Sequence, residues 1–351
     1  MSSDETPFGQ CPLPINQATE VLMGHGSGGK LSAQLIENLI LPAFRNPALE
    51  LLDDQAVLSV GDARLAFTTD SYVVTPIFFP GGDIGELAVN GTVNDLAMGG
   101  ARPLYLSLAF ILEEGLPIAE LERVVESARR AAERAGVRIV TGDTKVVGKG
   151  SGDKIFINTS GIGVIPSGIE LSSSRIRPGD AILLSGTIGD HGIAILSQRE
   201  GLEFEGELLS DTAPLHELAA AALRACPGIH AMRDPTRGGL AATLVEFASR
   251  RHLGIEVEER SIPMRDTVRG ACEILGLDPL LVANEGKLVA FVPEQLSARV
   301  LEALRNHPLG RDAARIGRVT ESHPGFVILK TPVGGERVLD LPFGEPLPRI
   351  C

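Results

Sequence analysis

Apolar positions along the chain fall into two kinds of run. In "PIAELERVVESARRAAERAG" they recur every three or four residues, so that Leu121, Val124, Val125 and Ala128 form a stripe between Pro117 and Gly136. That spacing predicts an amphipathic helix with a proline entry and a glycine stop. "DIGELAVNGTVNDLAMGG" carries a similar period, with Ile84, Leu87, Ala88, Leu96 and Met98 as candidates for one face. "APLHELAAAALRAC", "GGLAATLVEFASRR" and "QLSARVLEALRNH" read as further helices. The second kind of run is continuous and short. "RPLYLSLAFIL" predicts a buried strand, and "KIFINTSGIGVIP", "IEVEERSIPM", "KLVAFVP", "GFVILKT" and "ERVLDL" also read as strands. "ARLAFTTDSYVV" and "VRIVTGDTKVV" read as strands that run into polar loops.

The two kinds of run alternate, which predicts an α/β (α+β) chain. A polar Pro/Gly stretch, "SSSRIRPGD", divides it before "AILLSGTIGDHGIAIL" restarts the strand, glycine loop, helix rhythm. The expected organisation is a flexible extension over 1–18, domains over 19–170 and 171–338, and a mobile tail over 339–351. The tail is Pro-punctuated, poor in core-forming residues and ends on Cys351.

Composition narrows the function classes. At 351 residues and 44% hydrophobic the chain is long enough for two cores. A net charge of -13 argues against nucleic acid or an anionic membrane as partner. No apolar run reaches the roughly 18 residues of a membrane span, and the first residues carry no apolar signal core, so a cytoplasmic location is expected. Cys11, Cys226, Cys272 and Cys351 form no C-x-x-C pair, which predicts reduced thiols without a disulfide or zinc framework.

Candidate chemistry sits where strands end. "GHGSGGK" is a glycine cluster closing on Lys30, suited to phosphate but short of a Walker motif because Leu31 stands where Ser or Thr belongs. Asp53, Asp54, Asp70, Asp95, Asp143 and Asp190 recur in strand-to-loop contexts. Aspartate is an ordinary turn and cap residue, but several in one context point to magnesium and a nucleotide. "TGDTKVV" sets Lys145 beside Asp143, and "ANEGKL" sets Glu285 and Lys287 at the edge of an apolar strand; each pair reads either as a surface ion pair or as active-site groups. "RDPTRGG" offers Asp234 or Thr236 as caps of an anion-receiving helix.

Taken together, "GHGSGGK", "DDQAVL", "FTTDSYVVTPIFFPGGDIGELAVNGTVNDLAMGGA", "TGDTKVV", "GDHG", "MRDPTRGG", "ANEGKL" and the terminal "PRIC" resemble the HypE carbamoyl dehydratases of NiFe-hydrogenase maturation. The resemblance runs from about Leu22 to Cys351. It implies a two-domain PurM-like (aminoimidazole ribonucleotide synthetase-like) fold, with the N-terminal domains of two chains pairing into a barrel-like dimer core. It implies ATP-dependent dehydration of a carboxamide on Cys351 to a thiocyanate, which supplies cyanide to an Fe(CN)2CO centre. By motif, Asp53, Asp54, Asp70 and Asp95 match metal positions. Lys30, Asp70, Asn90, Asn94, Gly142, Asp143, Thr144, Asp190 and Asp234 match cofactor positions. Cys351, Glu285 and Lys145 match catalytic ones. ATP and Mg2+ are the implied cofactors. A homodimer, a HypF-like carbamoyltransferase and a HypC–HypD-like scaffold are the implied partners. The competing readings are a small-molecule ATP enzyme such as selenophosphate synthetase, against which no cysteine stands beside the glycine cluster, and a non-enzymatic maturation scaffold.

Overall fold

The computed structural model describes residues 19–341 and 349–351, apart from 203, 205 and 207. The expected extension over 1–18, Cys11 within it, and 342–348 of the tail lie outside the described residues.

The N-terminal half opens with a 3-10 turn at Met23–Gly26 and the short helices α1 (Lys30–Leu35) and α2 (Leu41–Phe44). There follow β1 (Ala56–Val60), β2 (Ala63–Tyr72), the small pair β3 (Phe78–Phe79) and β4 (Gly82–Asp83), then α3 (Ile84–Met98). β5 (Arg102–Glu113), α4 (Ile118–Ala135), β6 (Arg138–Val147) and β7 (Ile155–Val164) complete it. The strands form one sheet in the order β1-β2-β7-β5-β6. Only β5 and β6 run parallel, because α4 returns the chain between them.

Three local expectations change here. α3 is buried on nearly every side rather than along one face, because it lies between the sheet, α4 and a helix of the second half. Gly91 permits this: a Cβ there would stand 2.2 Å from the Tyr72 hydroxyl. β5 is not buried throughout; Tyr105 and Ile111 face outward. β6 does not give way to a loop, so Gly142, Asp143, Thr144 and Lys145 lie within it, paired with Leu108 to Ile111.

The C-terminal half holds β8 (Asp180–Leu184), α5 (Asp190–Glu200), α6 (His216–Ala225), β9 (Ala231–Arg233) and α7 (Gly239–Arg251). β10 (Gly254–Glu258), α8 (Asp266–Leu275), β11 (Val289–Pro293) and α9 (Glu294–Arg305) follow, and β12 (Ala314–Thr320), β13 (Val327–Lys330) and β14 (Glu336–Leu339) end it. Their order is β14-β13-β10-β12-β8-β11-β9. The two halves share an apolar core, in which Val93 and Leu96 of α3 join Leu218 and Leu223 of α6 and Leu304 of α9. Each such side chain contributes about 1.5–3 kcal/mol on burial.

The tail is not short of core residues where it is described. Leu339 is buried and pairs with Val327. Ile350 and Cys351 are buried in the apolar cluster that contains Tyr72, Val74, Ile193 and Val282. Among the described residues no helix is long and apolar enough to cross a membrane.

Candidate active site

Strand alternation sends Thr68, Asp70 and Tyr72 of β2 to the same side of the sheet. They meet Asp95 from α3, Asp54 from the segment before β1, Asp234 from the turn after β9 and Glu285 from the segment before β11. Thr68 excepted, these residues and Cys351 line a cavity of about 190 Å³. One oxygen each from Asp54, Asp95 and Asp234 lies within 4.8 Å of the others, a spacing that could hold a metal ion.

The cavity is short of positive charge. Burial pushes the Asp54 carboxyl up to about 6, although Arg233 stands 2.9 Å away and opposes the rise. Burial likewise raises Asp70, and raises Asp95 and Asp234 well above the usual carboxylate range, with the neighbouring carboxylates adding to the last two. The Tyr72 hydroxyl donates to Asp70 at 3.2 Å and the Thr68 hydroxyl to Asp95 at 2.7 Å. Hard oxygen donors with uncompensated negative charge are the set that suits a small divalent cation.

The C-terminal thiol enters this cavity from the tail. Burial, then the Glu285 carboxylate, pushes the Cys351 thiol up, while Arg237 opposes them. Glu285 is 2% exposed and lines the same cavity as Cys351. Burial first and Asp234 next raise it well above a normal glutamate.

Glu285 is held by its main chain. Its N–H donates to Asp211 Oδ1 at 3.0 Å, and its carbonyl accepts from Asn94 Nδ2 at 3.2 Å. Asp211 also pairs with Lys287 at 2.9 Å. Burial alone would raise Asp211, yet Lys287, His191 and the Glu285 N–H leave it lowered. Lys287 is therefore partnered by a buried carboxylate and not by Glu285.

The remaining sequence candidates disperse. Asp53 lines the cavity and accepts from Ser172 at 3.4 Å. Asn90 is buried and donates to Thr212 Oγ1 at 3.2 Å. Asn94 ties the halves together, donating to Ala213 O and accepting from Leu215 N at 2.7 Å, and so positions Glu285 rather than facing a ligand. Asp190 contacts Thr187 and Arg265, away from the carboxylate cavity. Lys30 pairs with Asp340 at 2.6 Å. Asp143 and Lys145 form an exposed pair at 2.8 Å on the outer face of the sheet, and within this chain they do not line the cavity of Glu285 and Cys351. Neither Asp234 nor Thr236 caps α7, whose N-cap is Gly238 at φ 76°.

Sequence reading passed over Tyr72, His191 as a tail contact, Arg199 and Asp211, and gave no role to Arg237. Arg237 lines the carboxylate cavity, the adjoining tail pocket and a neighbouring groove of about 760 Å³. That groove runs between Gly26–Gly28, β1, β2 and α7, and shares Asp54, Arg233 and Thr236 with the carboxylate cavity. Gly28 fits because a Cβ there would lie 2.8 Å from the Arg237 carbonyl.

Comparison with known proteins agrees with this arrangement. Residues 52–165 match the AIR synthase related protein N-terminal domain, and 177–330 match its C-terminal domain. A carbamoyl dehydratase HypE of Azotobacter vinelandii is 57% identical over 94% of this chain and 97% of its own. A crystal structure of a HypE–HypF complex superimposes with a TM-score of 0.84 at 47% identity, covering 88% of this chain and 99% of that one. A HypE structure in complex with ATP gives 0.80 at 52%, over 95% and 100%. With shared identity along almost the whole length of both partners, this chain belongs to the HypE carbamoyl dehydratase family of AIR synthase related proteins.

Proposed function

We propose that the chain is an ATP-dependent dehydratase acting on a carboxamide carried by its own Cys351. The observation that carries this reading is the seat of the C-terminal sulfur, buried against Glu285 in the cavity that holds Asp54, Asp95 and Asp234. The balanced reaction is RS–C(=O)NH2 + ATP4− → RS–C≡N + ADP3− + HPO42− + H+. Oxide is a poor leaving group, and phosphorylation of the amide oxygen lets it depart as phosphate. Glu285, whose raised pKa makes its conjugate base a better acceptor, takes an amide N–H proton as the nitrile forms. Arg237, whose charge faces Cys351, favours anionic forms of the thiocarbamate oxygen.

ATP is assigned to the 760 Å³ groove, which opens on the carboxylates through Asp54, Thr236 and Arg237; the ATP-bound relative supports this. Asp54, Asp95 and Asp234, with Asp53 and Asp70 on the same wall, fit Mg2+, which would neutralise charge on the transferring phosphoryl group.

A homodimer completes the site. The outer face of the N-terminal sheet exposes Leu58, Val60, Phe67, Tyr105, Ile111 and Ile162, an apolar patch suited to a second copy. By register with β5, Asp143 and Lys145 lie on that same face, so each chain offers its Lys145 to the partner's site. A HypF-like carbamoyltransferase loads the thiol, in keeping with the HypE–HypF complex, and a HypC–HypD-like scaffold takes the cyanide for an Fe(CN)2CO centre. Intact mass tests the reading: carbamoylated protein should lose one water on addition of ATP and Mg2+, and Cys351→Ala should neither gain the group nor lose the water. Loss of water from the Cys351→Ala chain would exclude the reading, and absence of phosphate release from carbamoylated protein would favour a scaffold.

A further inference from the structure

We infer that the pocket holding the tail is a peptide-binding site that reads the main chain, able to bind and process a separate peptide ending in Arg-Ile-Cys; this rests on the reading of Cys351 as substrate carrier. The three terminal residues are held mainly through their main chain. Val73 N–H donates to a carboxylate oxygen of Cys351 and Thr75 N–H to the Arg349 carbonyl, each at 3.2 Å. These donors stand two residues apart and take alternate tail residues, while Arg349 turns the tail with a left-handed backbone at φ 58°. The Ile350 carbonyl between them meets His191 Nε2 at 3.0 Å. Arg199 Nη2 donates to the Arg349 carbonyl at 2.7 Å. Main-chain capture of this kind does not depend on which chain supplies the peptide.

Two side chains add selectivity. Ile350 is 3% exposed in its apolar cluster, and Arg349 reaches Thr75 Oγ1 at 2.6 Å and the Asp153 carboxylate. The receptor groups are also tied to the body. Thr75 Oγ1 bonds to Asp153 at 2.7 Å, Arg199 holds the Thr75 carbonyl at 2.6 Å, and His191 Nδ1 contacts Ser210 Oγ at 2.8 Å. The site is thus built without the tail, and the docked tail behaves as a ligand that happens to be attached.

An S-carbamoyl peptide seated there presents its thiocarbamate to Glu285 as Cys351 does. Its reaction balances in the same way: the amide oxygen passes to phosphate, and the two N–H hydrogens leave as protons. A tethered tail has an effective concentration of order mM, so a free peptide competes at about that level.

The test uses the full-length chain carrying Ile350→Asp, which places a carboxylate in the apolar seat and leaves the receptor groups unchanged. An acetylated Pro-Arg-Ile-Cys peptide, S-carbamoylated, is added at about 1–5 mM with ATP and Mg2+, and its mass is followed. The expected result is loss of one water from the peptide, at least about tenfold slower when Asp replaces Ile in the peptide. In parallel, the unmodified peptide at the same concentration should slow dehydration in cis by the carbamoylated wild-type chain, a readout that stands even if the variant does not fold. Wild-type turnover in cis with neither peptide dehydration nor inhibition overturns the inference and leaves the proposed function standing. Failure of the wild-type chain itself to lose water overturns the proposed function.

Discussion

At the residue scale, Glu285 and His191 make separable predictions. Glu285→Gln keeps the shape and removes the base. Carbamoylated Glu285→Gln should lose water about 10²–10⁴-fold more slowly while still binding ATP, as measured by single-turnover mass spectrometry and by titration calorimetry. His191 is buried and neutral, and burial lowers its pKa below the ordinary 6.5, although Asp211 opposes the shift. A lowered histidine pKa favours the docked, neutral state above 6.5 and gives up that stability as pH falls through the folded value. The amides of Val73 and Thr75, which donate to the tail, report docking. Their hydrogen-exchange protection, corrected for intrinsic rate, should decline below pH 6.5 in wild type and stay flat in His191→Gln, which keeps an uncharged donor. An identical decline in both would remove His191 as the cause.

At the element scale, glycine decides how closely α3 and the N-terminal loop approach the site. Gly91→Val would drive its Cβ into the Tyr72 hydroxyl, 2.2 Å away, and so displace the group that donates to Asp70. The expected outcome is a loss of about 1–3 kcal/mol of stability together with weaker Mg2+-dependent ATP turnover, followed by thermal melting and phosphate release. β6 shows why element reading erred. "TGDTKVV" is polar enough for a loop, but its pairing with β5 continues to Val147, and its polar side chains are tolerated because β6 is exposed among the described residues. The continuous apolar run of β5 similarly suggested burial on both faces, whereas Tyr105 and Ile111 are exposed.

At the scale of the whole molecule, two interfaces matter. Within the chain, Asn94 joins the halves through three hydrogen bonds. Asn94→Ala would leave the Leu215 N–H and two carbonyls unpaired, a cost of about 2–4 kcal/mol, seen as a lowered melting temperature and as slower dehydration, because Glu285 loses a support. Between chains, the proposed homodimer gives Lys145 a complementation test. Lys145→Ala and Cys351→Ala homodimers should each be inactive. Co-refolded mixtures should recover turnover, since a heterodimer pairs an intact Cys351 with an intact Lys145 across the interface. Recovery would be absent if Lys145 served its own chain.

The sequence by itself determined the class of fold, most of the elements and the members of the carboxylate set, because periodicity, glycine stops and motif order are local properties of the chain. Asp54, Asp70, Asp95, Asp234, Glu285 and Cys351 were all named from it. Tertiary structure decided which candidates meet. Asp190 and Lys30 share the local appearance of site residues, yet their partners lie elsewhere, and Asn94 serves the site only through the Glu285 main chain. Arg237, Asp211, His191 and Arg199 act only because distant segments pack beside them. Burial, which sets the protonation of Glu285 and seats the Cys351 sulfur, comes from contacts between remote parts of the chain, and no local pattern encodes it.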